Sequence, residues 1–263
     1  AQTVMKVERA LADASMSKVD LRDPKKIYHR TQRADLFKMS PGIKWDSYLV
    51  EVGQKDLPLL NVSQPDFVKA VDKMVAGGTK PADWKTYLRW HLVHQFAPTL
   101  PSKFVDENFR WRQALTGIAK LPPRWKRCVR ATDHAIGEML AQPFVAKTLG
   151  TEGKGKVKSM IEAIELVMKD NLDALSWMDP ETRAQAQRKL GKIANKVAYP
   201  DKWRAYEGLV VDRSSYFANV SRADAWETKR QLAKIGKPVD RQEWLMTPPT
   251  VNAYYNPSMN EMV

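Results

Sequence analysis

The stretch VKSMIEAIELVMKDNLDAL, from Val157 to Leu175, decides the fold class of this chain. Its apolar residues follow one another at intervals of three and four positions, which places them along one face of an α-helix. This stripe consists of Val157, Met160, Ile161, Ile164, Met168, Leu172 and Leu175. The sequence therefore predicts a long amphipathic helix at this point in the chain.

The residues that flank this helix mark its ends. Gly150 and Gly153 interrupt the pattern before it. After it, Asp179 and Pro180 are typical of the N-cap and first position of a further helix. We expect that helix to extend to Tyr199-Pro200, with a buried side formed by Leu190, Ile193, Ala194 and Val197.

Helical spacing also covers most of the remaining chain, so the fold class is predicted to be mainly α. The other predicted helices are Val4–Met16, Tyr28–Lys38, a segment from Trp45, Pro65–Val75, Pro81–Phe96, Ser102–Thr116, a long helix after Pro122-Pro123 that is disturbed near Pro143, and Ser214–Ile235. Leu57–Ser63 lacks a helical period and is predicted as a short strand or extended connector. The expected architecture is a multi-helix domain with a few short strands.

The composition is that of a folded domain with a sizeable core. Of the 263 residues, 43% are hydrophobic and nine are Trp, which is typical of a folded chain and not of a disordered one. No apolar run is long enough to span a bilayer, and the first residues lack the apolar block of a signal peptide. We therefore expect no membrane segment in this chain.

The charge is strongly basic, with a formal net charge of +13 and a pI of about 9.7. Such a balance favours nucleic acid or an anionic membrane as a partner. The basic residues are dispersed, however, and Asp133, Glu138 and Glu152 lie among them. We interpret the charge as a solvated helical surface and predict no nucleic-acid partner. A basic helical module that binds nucleic acid or a protein partner is the alternative function.

The sequence contains no recognisable catalytic or metal-binding motif. His91 and His94 are three residues apart on a predicted helix, but no acidic or Cys residue lies at a matching offset to complete a zinc site. Cys128, the single cysteine, has no evident base beside it, and the motifs His-Glu-x-x-His and Gly-x-Ser-x-Gly are absent. We predict neither a catalytic residue nor a metal ligand in this chain.

The last stretch, VNAYYNPSMNEMV from Val251 to Val263, differs from the helical segments. Residues Val251 to Tyr255 favour an extended strand, and Asn256-Pro257 then favours a turn. A strand at a sheet edge can dock a second backbone through main-chain hydrogen bonds, and the Asn252 amide adds one donor and one acceptor. An ordinary strand and turn is the other interpretation of these residues alone.

An ordered set of short motifs resembles the neprilysin and endothelin-converting-enzyme family of zinc endopeptidases, and its bacterial members most of all. The motifs run from Tyr28 to Val263 and comprise Arg124-Trp125-Lys126-Arg127-Cys128, Ser176-Trp177-Met178-Asp179 with Thr182, Tyr199-Pro200-Asp201, Lys237-Pro238-Val239-Asp240-Arg241, Trp244, Met246-Thr247-Pro248, Asn252-Ala253-Tyr254-Tyr255-Asn256-Pro257 and Asn260-Glu261. In that family the chain continues to a His-Glu-x-x-His helix, whereas this sequence stops at Val263. The chain is thus similar to the front part of such an enzyme.

The resemblance implies two domains with different roles. Residues 1–247 would form a helical domain that restricts substrate size, and residues 248–263 would begin a thermolysin-like catalytic domain with an edge strand. The complete protein would be a zinc-dependent endopeptidase that acts on peptides in the periplasm or outside the cell. This chain alone would bind no zinc, would be inactive, and would have the missing catalytic domain as its partner.

The resemblance also implies roles for three residues. By it, Asn252 and Ala253 bind the substrate backbone. The family cysteine that matches Cys128 commonly pairs with a cysteine in the catalytic part.

Overall fold

The computed structural model describes all residues from Ala1 to Val263 as ten α-helices, five short strands and connecting turns. The prediction of a mainly α fold with a few short strands is confirmed. The chain divides into two compact units, Ala1–Ala119 and Lys120–Val263. None of its helices combines the length and the apolar character needed to cross a bilayer.

The first unit consists of six helices and one small sheet. The helices are α1 (Gln2–Ala14), α2 (Arg33–Met39), α3 (Trp45–Glu51), α4 (Pro65–Lys73), α5 (Pro81–Phe96) and α6 (Ser102–Thr116), and strands β1 (Arg30–Gln32) and β2 (Leu59–Asn61) pair antiparallel. Helix α1 packs against α4 and α5 and buries Val4 and Val7. The bounds of α5 and α6 agree with the sequence prediction.

One predicted helix of this unit, Tyr28–Lys38, is wrong in its first half. Arg30 to Gln32 form β1, and only the residues from Arg33 onward are helical. The reason is tertiary, because Thr31 pairs with Leu60 in a ladder that the predicted strand Leu57–Ser63 supplies. Strand pairing of this kind overrides weak helical propensity.

The second unit consists of four helices and a three-stranded sheet. Its elements are α7 (Arg124–Thr148), α8 (Gly150–Ala174), α9 (Pro180–Leu190), β3 (Ala194–Asn195), α10 (Tyr216–Leu232), β4 (Tyr255–Asn256) and β5 (Glu261–Met262). Helix α8 packs against α7 and α9, and α10 packs against α7. Helix α7 has non-helical backbone at Ile136, with φ −141° and ψ 43°, and continues through Pro143.

The opening stretch forms most of α8, but its apolar stripe is only partly covered. Val157, Ile161 and Leu172 are half-buried. Met160 and Ile164, by contrast, are 57% and 59% exposed to solvent. Gly153, expected to interrupt the pattern, lies inside the helix. A Cβ at Gly153 would approach the Leu149 side chain to 2.5 Å, so close packing explains the glycine at this position.

Helix α9 begins as predicted and ends earlier. The Asp179 carboxylate accepts a hydrogen bond from the Thr182 backbone N–H at 2.9 Å, which confirms the N-cap. The predicted extension to Val197 is wrong, because the helix ends at Leu190 and Ala194–Asn195 form β3. Beyond Leu190, Ala194 enters a sheet, and apolar spacing over so few residues does not distinguish helix from strand.

Candidate functional site

The terminal stretch folds into a hairpin at the edge of a sheet. Strand β5 pairs antiparallel with β4 and parallel with β3, so the order is β3-β5-β4 and β4 lies at the edge. Just before β4, Tyr254 and Val263 exchange both main-chain hydrogen bonds at 3.0 Å. Since main-chain groups alternate along a strand, those of Tyr255 face away from β5. The hairpin therefore presents an open edge of the kind that an extended peptide can join.

Asparagine side chains fix the turn of this hairpin. The Asn256 amide oxygen accepts from the Ser258 N–H at 3.2 Å, and the Asn256 carbonyl accepts from the Met259 N–H at 3.3 Å. Asn260 adopts a left-handed conformation with φ 50°, which Asn tolerates better than most residues. Its side-chain amide donates to the Lys189 carbonyl at 3.0 Å, so the turn is also bound to α9.

A buried ion pair anchors the hairpin to the sheet. The Glu261 residue is 2% exposed, and its carboxylate accepts from the Lys196 ammonium at 2.7 Å. The same ammonium donates to the Glu243 carbonyl at 2.7 Å. Buried charges are tolerated only when they are paired and hydrogen-bonded in this way. Sequence reasoning found Glu261 only as part of the Asn260-Glu261 motif and did not predict its pairing with Lys196, because no local pattern links two residues 65 positions apart.

The connection that leads into the hairpin is fixed against α7. The Thr247 hydroxyl donates to the Asp133 carboxylate at 2.8 Å, and the Thr250 N–H donates to the Thr247 carbonyl at 2.9 Å. Gly137 makes this approach possible, because a Cβ there would lie 2.3 Å from the Thr247 methyl group. The segment before Asn252 is thus held at a defined position.

Asn252 and Ala253 lie outside the strand, and the predicted strand from Val251 is wrong in its first residues. The ladder begins at the Tyr254–Val263 pair. Both residues are exposed, and the Asn252 side-chain oxygen accepts from the Ala253 N–H at 2.8 Å. Asn favours such local bonds, which compete with strand pairing. The structure places the two residues next to the open edge, with their polar groups facing each other.

The chemistry of this segment is that of neutral hydrogen bonding. The Tyr255 hydroxyl donates to the Asn260 side-chain oxygen at 2.9 Å. Burial raises the pKa of the Tyr254 phenol, and the nearby Glu261 carboxylate raises it further. These groups can align a peptide backbone, and they include neither a nucleophile nor a general base.

His91 and His94 have their contacts within the first unit. His91 contacts Glu8 at 2.8 Å, His94 stacks on Trp90, and Cys128 is exposed and unpaired. No three His, Cys, Asp or Glu side chains are grouped so that they could hold a metal ion.

One family profile matches most of this chain, and known proteins match its whole length. The profile of peptidase family M13 matches residues 1–200. Endothelin-converting enzyme 1 of Mus musculus is 29% identical over 276 residues, and an endothelin-converting enzyme homolog of Locusta migratoria is 29% identical over 281. Each alignment covers 100% of this chain but 36% and 38% of the respective relative. The chain thus spans less than two-fifths of the length of these curated relatives.

Solved structures of peptidases also resemble this chain over nearly its whole length. The zinc metalloprotease Zmp1 of Mycobacterium tuberculosis, in complex with an inhibitor, is 36% identical with a TM-score of 0.90, over 99% of this chain and 40% of that one. PepO of Lactobacillus rhamnosis is 19% identical with a TM-score of 0.88, over 99% of this chain and 42% of that one. At this lower identity the similarity to PepO concerns the fold alone.

Proposed function

The chain belongs to peptidase family M13, and from that premise we propose that the complete protein is a neprilysin-like zinc endopeptidase that hydrolyses oligopeptides. The role of this chain is to hold and select the peptide. The observation that carries the proposal is the open edge of β4, with the exposed Asn252 and Ala253 directly before it. A zinc ion bound elsewhere in the protein would supply the hydrolytic chemistry.

Asn252 and Ala253 are the proposed substrate-binding residues. A peptide that joins the edge of β4 gains main-chain hydrogen bonds, which tolerate many side-chain sequences. The Asn252 amide offers a donor and an acceptor to the peptide backbone once its bond to the Ala253 N–H opens. That same opening frees the Ala253 N–H, and the small Ala253 side chain leaves room for close approach.

The test is Asn252→Ala in the complete protein. Loss of one hydrogen bond that leaves a neutral partner unsatisfied costs about 1–3 kcal/mol. We therefore expect kcat/KM to fall roughly ten- to hundredfold, since each 1.36 kcal/mol corresponds to about a factor of ten. Zinc content should not change, because Asn252 is not proposed as a ligand.

Two variants control this experiment. Asn171→Ala removes an exposed amide from α8 and should leave kcat/KM unchanged, and Ala253→Gly should have a small effect because the backbone remains. Unchanged kcat/KM in Asn252→Ala would contradict the substrate-binding role. Loss of zinc in the same variant would mean that Asn252 acts through folding.

The domain division and the location belong to the same proposal. Residues 1–247 act as a helical domain that restricts substrate size, and residues 248–263 begin the catalytic domain. By its resemblance to the family, the protein acts in the periplasm or outside the cell. Fractionation of the producing cells, with an antibody against this chain, tests the location, and detection only in the cytoplasmic fraction would contradict it.

A further inference from the structure

Two cavities of the second unit share part of their lining, and we call the two together the cationic groove. Their volumes are about 340 and 480 Å³, and both are lined by Pro200, Lys202, Gln242 and Trp244. Nine cationic side chains and five carboxylates line the two cavities. The groove shares no residue with the Asn252–Ala253 segment, so its role is independent of the function proposed above.

Most of these charges neutralise one another within the protein. Four lining cations form close ion pairs: Lys154 with Asp201 at 2.7 Å, Lys196 with Glu261, which lies outside the lining, at 2.7 Å, Arg204 with Glu138 at 2.9 Å, and Arg230 with Glu243 at 2.7 Å. Lys234 also contacts Glu243, at 2.6 Å. These pairs hold the side chains of the groove lining in place, because most of their carboxylates are half-buried or buried.

The cations that remain are exposed. Lys202 and Lys237 have no carboxylate within ion-pair distance, and Lys158 lies 3.8 Å from Glu162. The Arg241 guanidinium donates to a neutral acceptor, the Met259 carbonyl, at 3.1 Å. Of the lining carboxylates, Asp240 alone has no cationic partner, and its oxygen accepts from a backbone N–H at 2.8 Å. The groove therefore carries an excess of accessible positive charge.

The walls between these cations are partly apolar. Pro200 and Trp244 lie where the two cavities meet. Tyr199 and Trp203 stack with ring centroids 5.9 Å apart and planes 5° apart. An occupant of this groove thus meets an apolar surface along its length and separated cations at its sides.

We propose that the cationic groove binds an extended peptide segment that carries two or more carboxylate side chains. A planar carboxylate fits the guanidinium of Arg241 and the ammonium groups of Lys202 and Lys237. The peptide backbone and its methylene groups pack along Pro200 and Trp244. The five carboxylates of the lining oppose a uniformly charged phosphate backbone, whereas a peptide can place its charges opposite the separated cations.

The test uses fluorescence anisotropy with this chain and a labelled octapeptide of alternating Gly and Glu. Peptides of alternating Gly and Gln, and of alternating Gly and Lys, measure the contribution of charge. The triple variant Lys202→Gln, Lys237→Gln, Arg241→Gln should lower the affinity for the Glu peptide at least tenfold. Addition of salt should weaken the wild-type complex, because the contacts are exposed.

A matched variant separates the groove from the overall basic charge of the chain. The variant Lys6→Gln, Lys80→Gln, Lys85→Gln also removes three exposed cations, all in the first unit. Its affinity for the Glu peptide should change less than twofold. Equal losses in the two triple variants would overturn the proposal, since binding would then follow net charge alone.

Two further measurements complete the test. Circular dichroism checks that the variants fold, and Lys202→Gln alone, which should lower affinity at least twofold, replaces the triple variant if that variant does not fold. Tighter binding of a single-stranded oligonucleotide of equal charge would overturn the proposal in favour of nucleic acid. Absence of binding in the complete protein would also overturn it, because the groove would then be an internal surface.

Discussion

At the scale of single residues, the terminal hairpin depends on Glu261. Its carboxylate and the Lys196 ammonium are both buried, with side chains 2% and 9% exposed. Removing one partner of such a pair leaves an uncompensated charge and costs about 3–5 kcal/mol. We expect Glu261→Gln to lower the free energy of unfolding by about that amount in urea denaturation.

The control for this prediction is the exposed pair Glu107–Arg110, with side chains 72% and 74% exposed. Glu107→Gln should change the free energy of unfolding by less than about 1 kcal/mol. The double variant Lys196→Met, Glu261→Met should be more stable than Glu261→Gln, because it buries no unpaired charge. Equal stability of Glu261→Gln and Glu107→Gln would contradict the anchoring role.

At the scale of elements, helix α10 carries ion-paired side chains whose charge depends on pH. Hydrogen bonds from Arg230 are the main cause that lowers the pKa of Glu227 from 4.5 to about 2, against the opposing effect of burial. A carboxylate with a lowered folded-state pKa stabilises the protein above its unfolded pKa, and this contribution is lost as the pH falls.

We therefore expect the melting temperature to fall between about pH 4.5 and pH 2 as Glu227 is protonated. The variant Glu227→Gln should be less stable at neutral pH and should lose less stability over that interval. Thermal denaturation followed by circular dichroism measures both effects. An identical pH dependence in the wild type and in Glu227→Gln would show that Glu227 does not contribute to it.

At the scale of the whole molecule, this chain should bind no catalytic zinc and hydrolyse no peptide by itself. The reason is that a catalytic zinc site needs about three protein ligands, and no such group is present among these residues. Metal analysis of the purified chain and a peptidase assay with and without a chelator measure the two properties. Stoichiometric zinc together with chelator-sensitive activity would contradict the prediction.

The sequence by itself determined the helical class, the family and much of the helical boundary pattern. Helix α5 begins at Pro81, and α9 begins after Asp179. The sequence predicts both of these starts. Such signals are local, because a cap or a proline acts within one helical turn. The motif Asn252-Ala253 was also visible in the sequence, and its substrate-binding role stays a prediction.

Only the tertiary structure decided which residues pair across the chain. Arg30–Gln32 and Ala194–Asn195 are strands because partners 27 or more positions away supply their hydrogen bonds. The buried pair of Lys196 and Glu261 and the cationic groove arise in the same way, from residues that the fold brings together. A strand or a buried charge is stabilised by its distant partner, and one position in a sequence does not specify where that partner lies.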